Sequence, residues 1–135
     1  MKYLLDTNVW IVYFSSRDAQ LRARLDAGFD ADELATCTVV IAELLYSALQ
    51  SNQRERNVEA VDRILATQPI LTFDLNAAKA YATIRDAAAR RGAPTDPMDL
   101  LIAAIAVAND LVVVTHNLKH FNPLPGVRAE SWQTN

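Results

Sequence analysis

Short apolar runs alternate with amphipathic stretches along this chain. Leu4-Leu5, Ile70-Leu71 and 111–114 contain no polar residue at alternate positions. Strands buried on both faces of a sheet have this composition, whereas strands with one solvated face alternate. Strands and helices also follow one another in turn. The pattern therefore predicts an α/β fold in three layers, with a central, mostly parallel sheet of four to five strands flanked by helices.

Residues that favour helix ends set the boundaries of the predicted helices. Asp6-Thr7-Asn8, Thr38, Asp74 and Asp96-Pro97 are N-terminal signals, and Gly28 and Gly92 are C-terminal signals. Thr7 or Asn8 is expected to cap the first helix, which would leave Asp6 free. The predicted strands are 2–5, 34–37, 69–73, 111–115 and 127–132, and the predicted helices are 9–14, 19–27, 39–50, 54–66, 75–91 and 97–109.

Length and composition narrow the classes of protein that are possible. The chain has 135 residues, of which 51% are hydrophobic, and we expect a single domain over 1–135. The longest apolar stretch, 100–108, is about half the length of a membrane-spanning helix. No secretory leader is recognisable, so a cytoplasmic protein without a membrane partner is expected. A single cysteine, Cys37, excludes an internal disulfide and a cysteine-based zinc site.

The formal net charge of −3 argues against a protein that coats nucleic acid non-specifically. Nucleic acid remains possible as a substrate. The placement of individual acidic residues is more informative than their number.

Three acidic residues stand out from their surroundings. Asp6 directly follows the first predicted strand, Glu43 is the only charge in an apolar stretch of helix, and Asp99 is the only charge between Pro97 and Ala108. Each also has a structural interpretation: a helix cap for Asp6, a solvent-facing position for Glu43, and a favourable first-turn acid for Asp99. Asp96 is the more natural cap of the last helix, which weakens the structural interpretation of Asp99.

A polar segment, Thr115-His116-Asn117, follows the last apolar strand, where a plain loop is the alternative interpretation. Carboxyl ends of parallel strands meet at one edge of a sheet, so this segment and the three acids are expected to converge there. Crowded carboxylates repel one another unless a cation lies between them. Mg²⁺ and Mn²⁺ favour such oxygen ligands, and this chemistry points to metal-assisted phosphodiester hydrolysis.

At these residues the chain resembles PIN-domain ribonucleases, and more closely the VapC-type toxins of type II toxin–antitoxin pairs. The resemblance covers the whole chain, and the order and spacing of its motifs make it specific. The segments that carry it are 1–10, Glu43, 97–104, 114–121, 124–127 and 130–132.

The resemblance implies a PIN-like fold and an endoribonuclease that depends on one or two Mg²⁺ or Mn²⁺ ions. Asp6 and Asp99 correspond to the metal-holding acids, and Glu43 to the acid that completes the set. Asn117 falls where many PIN domains carry a fourth acid, which removes one charge and bears on whether a second ion binds. Asp96, where close relatives often have glycine, either adds an outer carboxylate or caps its helix.

Other residues are expected to support the reaction. Thr7 and Thr115 could orient the attacking water or a carboxylate by hydrogen bonds. Ten of the thirteen basic residues are arginines, which suit phosphate recognition. The candidates for an RNA track are Arg85, Arg90, Arg91, Lys119 and His120, with solvated helix charges as the alternative. Arg54, Arg56 and Arg63 are interpreted as intrahelical pairs with neighbouring acids. His116 and His120 lack a partner histidine for metal binding.

The apolar first helix, with Trp10 to Phe14, suggests contact with another chain. The resemblance implies a homodimer or larger assembly and a VapB-like antitoxin that covers the acidic pocket. Operator DNA would then be bound only through the antitoxin, and the substrate would be a loop of transfer or ribosomal RNA.

Two alternatives belong to other functional classes. A catalytically silent PIN scaffold would bind a protein partner without cutting RNA. A phosphorylatable receiver module would need adjacent acids after the first strand, and Thr7 occupies that place.

Overall fold

The computed structural model describes residues 1–93 and 95–134. Five strands form one sheet in the order β3-β2-β1-β4-β5, and all four strand pairs are parallel. The elements in chain order are β1 (Tyr3–Leu5), α1 (Thr7–Ser15), α2 (Ala19–Asp30), β2 (Leu34–Cys37), α3 (Thr38–Gln50), α4 (Arg54–Thr67), β3 (Ile70–Leu71), α5 (Leu75–Arg90), α6 (Pro97–Ala108), β4 (Val112–Val114), α7 (Leu118–Phe121) and β5 (Ala129–Glu130). The predicted α/β architecture is confirmed.

The register of β1 and β4 places their carboxyl ends side by side. Leu5 pairs with Val114, and the Asp6 N–H donates to the Val114 carbonyl at 3.0 Å. The residues that follow these two strands, Asp6 and Thr115, therefore lie next to each other. This edge is where ligands bind in open parallel sheets.

The core explains why the strands are apolar throughout. Leu4, Leu5, Val113 and Val114 are fully buried, because helices cover both faces of the sheet. In α6, buried residues run consecutively from Ile102 to Ala106, so this helix is enclosed on nearly every side. A charged residue on α6 therefore lies near its N-terminus or is costly.

Two helix starts differ from the prediction. Asp6 itself is the N-cap of α1, and the expectation that Thr7 or Asn8 would cap it was wrong. Cys37, rather than Thr38, occupies the N-cap position of α3, without a side-chain cap hydrogen bond. The predicted caps Asp74 and Asp96 are confirmed.

Gly28 does not end its helix. α2 continues to Asp30, and Gly28 lies inside it, facing β2. An added Cβ would stand 2.8 Å from Leu34 Cγ, so the glycine permits close helix–strand contact. In the sequence, a glycine that is needed for close packing cannot be told from a glycine that ends a helix.

The aromatic residues of α1 pack mainly against the chain itself. Trp10 is buried, and its ring stacks on Phe14 and Phe29, with Tyr13 at their edges. Ile11 is the large apolar residue of α1 that remains exposed. Most of the apolar excess expected to meet another chain is therefore used internally. Among the described residues, no helix combines the length and the apolar character needed to cross a membrane.

Candidate active site

Asp6 has a buried carboxylate, and each of its two oxygens accepts a hydrogen bond. Its Oδ1 accepts from the Thr7 N–H at 2.8 Å, and its Oδ2 accepts from Thr115 Oγ1 at 2.9 Å. Only 8% of the residue is exposed. Asp6 therefore combines the structural interpretation, a helix cap, with a position at the carboxyl end of the central strand.

Asp99 lies in the first turn of α6, behind the cap of that helix. Asp96 Oδ1 accepts from the Met98 and Asp99 N–H groups at 2.9 and 3.2 Å, which leaves the Asp99 side chain free of capping. Asp99 Oδ2 lies 2.9 Å from His120 Nδ1, and 16% of its side chain is exposed. Asp96 thus acts as the cap that the sequence favoured.

Glu43 joins the site through Thr7. Its Oε1 accepts from Thr7 Oγ1 at 2.6 Å, across 36 residues of sequence. Thr7 is the residue whose N–H also donates to Asp6. The single charge of the apolar α3 therefore faces the edge of the sheet that carries Asp6.

The loop after β4 connects the remaining residues. The Asn117 N–H donates to Thr115 Oγ1 at 2.9 Å, and the Asn117 side-chain amide lies 2.6 Å from His120 Nδ1. A series of hydrogen bonds therefore connects Asp6 to Thr115, Thr115 to Asn117, Asn117 to His120 and His120 to Asp99. All four residues expected to be catalytic, Asp6, Glu43, Asp99 and Asn117, take part in these hydrogen bonds.

Burial makes negative charge costly in this site. Desolvation raises the pKa of Asp6, although hydrogen bonds from Thr115 and Thr7 oppose the effect. Desolvation raises the pKa of Asp99 to about 6, and the charges of Asp6 and Asp96 add to this rise. Within residues 1–93 and 95–134, no lysine or arginine forms an ion pair with Asp6, Glu43 or Asp99. The site has an excess of negative charge that a bound cation would compensate.

The donor set fits a hard divalent ion. Asp6 and Asp99 supply carboxylate oxygens from two elements, and Mg²⁺ is commonly held by one or two carboxylates with waters and substrate phosphates completing its shell. The described residues contain no preformed group of three His, Cys, Asp or Glu side chains around one point. A pair of carboxylates, rather than a closed cage, is therefore what the chain offers.

The basic residues predicted to contact RNA fall into two groups. Arg85 donates to Tyr81 Oη, Arg90 to Asp86 Oδ2 and Arg91 to the Pro123 carbonyl. Lys119 and His120 instead line a cavity of about 490 Å³ beside Asp96. Of these five residues, His120 contacts an acid of the site, Lys119 lies beside it in the same cavity, and the three arginines are bound to groups outside the site.

Two side-chain roles were missed or misjudged from the sequence. The contact of His120 with Asp99 was not predicted. The sequence signal for it is that His120 lies three residues after Asn117, in the short helix α7, which the apolar pattern did not reveal. Arg56 and Arg63 line a groove between α1, α3 and α4. Among the described ion pairs none joins Arg54, Arg56 or Arg63 to an acid, so the predicted intrahelical pairs were wrong.

Comparison with known proteins shows the family of this chain. The family model described as PIN domain matches residues 3–123, which include every acid discussed above. The chain belongs to the PIN domain family. Within this family it belongs to the VapC group, since it is 34% identical over 132 residues to the tRNA(fMet)-specific endonuclease VapC of Salmonella typhimurium, with 98% of both chains covered.

Solved structures of this PIN-domain group superpose closely on the chain. One is a DNA-bound VapBC from Salmonella typhimurium, with a TM-score of 0.90, 34% identity and 98% of each chain covered. Another is VapBC2 from Rickettsia felis bound to a promoter DNA fragment, with a TM-score of 0.90, 28% identity and coverage of 98% of this chain and 100% of that one. The three-layer PIN fold expected from the sequence is confirmed.

Proposed function

We propose that this PIN-domain protein is an endoribonuclease toxin that hydrolyses RNA phosphodiester bonds with Mg²⁺ or Mn²⁺ and is neutralised by a VapB-like antitoxin. The observation that carries the proposal is the series of hydrogen bonds that connects Asp6 and Asp99 at one edge of the sheet. Both carboxyls have a raised pKa, and neither has a lysine or arginine partner among the described residues. Two such carboxylates at one site destabilise the fold unless a cation binds to them.

Asp6 and Asp99 are the residues that would hold the ion. When bound, a divalent ion lowers the pKa of a coordinated water and offsets the charge that develops on the phosphate. Thr115 and the Asp96 cap keep the two acids in place, Thr115 by donating to Asp6 Oδ2 and Asp96 by fixing the first turn of α6. The number of ions, one or two, is set by how far Asn117 and Glu43 contribute.

Glu43 completes the acid set through its hydrogen bond with Thr7. The Oε1 atom of Glu43 accepts a hydrogen bond from Thr7 Oγ1, while its Oε2 atom accepts none from the described residues. We assign this oxygen the role of accepting a hydrogen bond from the attacking water. Thr7 therefore has a positioning role for Glu43 as well as for Asp6.

The RNA strand is proposed to enter through the cavity beside the site. Lys119 and His120 line it, next to Asp96. A lysine there supplies a positive charge for phosphate without occupying the acids. The Salmonella relative is a tRNA(fMet)-specific endonuclease, which supports a transfer-RNA loop as substrate, with a ribosomal RNA loop as the alternative. We place the activity in the cytoplasm, where both RNAs are found.

A cleavage assay tests this proposal. The purified chain is expected to cut RNA in Mg²⁺ or Mn²⁺ and not in EDTA. Asp6→Asn should lower the rate by about 100-fold or more, since several kcal/mol of metal-dependent stabilisation are lost. Asp110→Asn, whose carboxylate is 98% exposed and remote from the acids in sequence, serves as the matched control. Equal rates for the unaltered chain and Asp6→Asn would contradict the proposal, and a folded chain without any cleavage would favour the silent scaffold.

The antitoxin is proposed to seat a segment in the groove between α1, α3 and α4. The groove has a volume of about 330 Å³ and is mostly apolar. Its apolar lining residues are Ile11, Phe14, Leu44, Ala48, Ala60 and Val61. Arg56 and Arg63 also line it, so a helix with an apolar face and acidic residues fits best.

Assembly into a homodimer or a larger complex is part of the proposal. The two solved relatives described above are VapBC complexes, and both are bound to DNA. The net charge of −3 makes direct operator binding by this chain unfavourable, so DNA contact is assigned to the antitoxin.

A further inference from the structure

A histidine outside the acid set lies at the centre of the hydrogen bonds of the site. His120 Nδ1 lies 2.9 Å from Asp99 Oδ2 and 2.6 Å from the Asn117 side-chain amide. The Asn117 N–H donates to Thr115 Oγ1, which donates to Asp6 Oδ2. One unbroken series of hydrogen bonds therefore runs from Asp99 on α6 to Asp6 at the end of β1, and it passes through the imidazole of His120.

The chemistry of Asp99 determines which ring nitrogen carries the hydrogen. A carboxylate only accepts hydrogen bonds, so Nδ1 of His120 must be the donor. A protonated Nδ1 has no lone pair for the Asn117 Nδ2 atom that faces it, so we assign the amide with its nitrogen and oxygen exchanged, which puts Oδ1 toward the ring. Nδ1–H is then shared between two oxygens, which fixes both side chains through one atom.

The position of the ring relative to solvent defines what it can do. The side chain of His120 is 43% exposed, whereas that of Asp99 is 16% exposed. The ring thus lies toward solvent, with the acid behind it. An acid in the first turn of a helix, without such a partner, is free to adopt other rotamers, and ordering it on metal binding would cost conformational entropy.

We propose that His120 is a positioning residue that acts through Nδ1 to hold the Asp99 carboxylate and the Asn117 amide in one arrangement. The inference rests on the proposed function, because it concerns how the same acids bind the ion. It gives His120 a role other than RNA contact, which would use the exposed edge of the ring. Outer partners of metal-binding carboxylates are worth about 10- to 100-fold in metal affinity or activity.

Two amide substitutions distinguish the two ring nitrogens. The Nδ2 atom of asparagine can occupy the place of the imidazole Nδ1, and the Nε2 atom of glutamine the place of the imidazole Nε2. His120→Asn is therefore expected to retain the contact with Asp99, and His120→Gln to lose it. His120→Ala removes both nitrogens and sets the full effect.

The measurements are the Mn²⁺ dissociation constant by calorimetry, and kcat and KM for RNA cleavage. His120→Ala and His120→Gln are expected to weaken Mn²⁺ binding by about tenfold or more and to lower kcat at an unchanged KM. His120→Asn should lie near the unaltered chain in both. Lys119→Ala, in the same cavity, should raise KM and leave Mn²⁺ affinity as it was.

A structural readout is independent of metal and activity. Long-range ¹H–¹⁵N spectra of the metal-free protein are expected to show the Nδ1–H form of His120. Equal Mn²⁺ affinity of His120→Ala and the unaltered chain would overturn the inference. If His120→Gln kept the Mn²⁺ affinity and His120→Asn lost it, the inference would also be overturned, since Nε2 rather than Nδ1 would then be the atom that holds Asp99. Absence of RNA cleavage in the unaltered chain overturns the proposed function instead, and the Mn²⁺ and NMR results still decide the role of His120.

Discussion

Thr115 carries two hydrogen bonds that depend on one hydroxyl. Its Oγ1 donates to Asp6 Oδ2 and accepts from the Asn117 N–H, each at 2.9 Å, and the residue is 1% exposed. Thr36, on β2, is equally buried, yet its hydroxyl has no hydrogen-bond partner among the described residues. The two threonines form a natural pair for measuring what the site contributes.

Thr115→Val is expected to lower the free energy of unfolding by about 1–3 kcal/mol, because a buried carboxylate loses a donor and an amide loses an acceptor. RNA cleavage should fall with it, since Asp6 is no longer held. Thr36→Val should leave stability unchanged or raise it, because an unpaired buried hydroxyl is removed. Denaturant unfolding of both variants checks this, and equal losses from the two substitutions would show that the bond to Asp6 contributes little.

The pKa of Asp99 predicts how the metal-free protein responds to pH. Burial raises this pKa to about 6 from an ordinary value of 3.8. Between these values the folded carboxyl binds a proton that the unfolded one does not. The stability contributed by that proton is therefore full below pH 3.8 and is lost as the pH rises through 6.

In EDTA, Asp99→Asn should match the unaltered chain near pH 4 and exceed its stability by about 1–2 kcal/mol at pH 7.5, since the amide cannot ionise. Asp110→Asn, at a 98% exposed carboxylate, should show no comparable gain. Thermal unfolding across this pH range measures both differences. A pH-independent difference for Asp99→Asn would mean that its carboxyl is not destabilised by burial.

At this scale the acids were predictable and their partners were not. Glu43 and Asp99 are each the only charge in an apolar stretch, and Asp6 directly follows an apolar strand, signals that are visible in the sequence. The link from Asp99 to His120 spans 21 residues and depends on the turn after β4. No periodicity encodes such a turn, so His120 was placed with the RNA contacts instead.

At the scale of elements, the contact of α2 with β2 determines how closely a helix covers the sheet. Gly28 is buried, and an added Cβ would lie 2.8–2.9 Å from three atoms of Leu34. Leu34 is itself 1% exposed and pairs in register with Tyr3 of the central strand. A side chain at position 28 would therefore push the helix away from the strand next to β1.

Gly28→Ala is expected to destabilise the fold by about 1–3 kcal/mol through overpacking, even though alanine is the better helix former. Adding Leu34→Ala to Gly28→Ala should make the second substitution cost less than it does alone, because each relieves the other. A double-mutant cycle in urea measures this coupling. Additive losses would show that the helix and strand are not in tight contact here.

Strand and helix order was predictable because apolar runs and caps are local signals. β3, predicted over 69–73, is only Ile70–Leu71, and α7 was absent from the prediction. Both depend on tertiary contacts, since a four-residue helix has too little length for a period. The same reason explains Gly28, whose packing role no local pattern separates from a helix end.

For the whole molecule, the acid site and the groove share α3 but use different residues of it, since Glu43 belongs to the site and Leu44 and Ala48 line the groove. Asp6 follows β1, Glu43 lies on α3 and Asp99 on α6, whereas the two arginines of the groove, Arg56 and Arg63, lie on α4. Toxin activity and antitoxin binding are therefore separable by substitution. The sequence indicated a protein partner but not where that partner binds, because the groove exists only once α1, α3 and α4 pack together.

Arg56→Glu together with Arg63→Glu should weaken antitoxin binding by about tenfold or more, because two favourable charge contacts become repulsive. RNA cleavage by the free chain should be unchanged. Arg54→Glu, on the same helix but outside the groove, is the control. Binding is measured by calorimetry with the VapB-like protein encoded beside the chain, and unchanged affinity would place the antitoxin elsewhere.

The central claim is that Asp6 and Asp99 share one divalent ion. Anomalous diffraction from crystals of the chain grown with Mn²⁺ tests it most directly. The account predicts a manganese peak within coordination distance of both carboxylates, and its loss in Asp99→Asn crystals. A peak bound to neither acid, or none at saturating Mn²⁺ in a protein that still cleaves RNA, would contradict it.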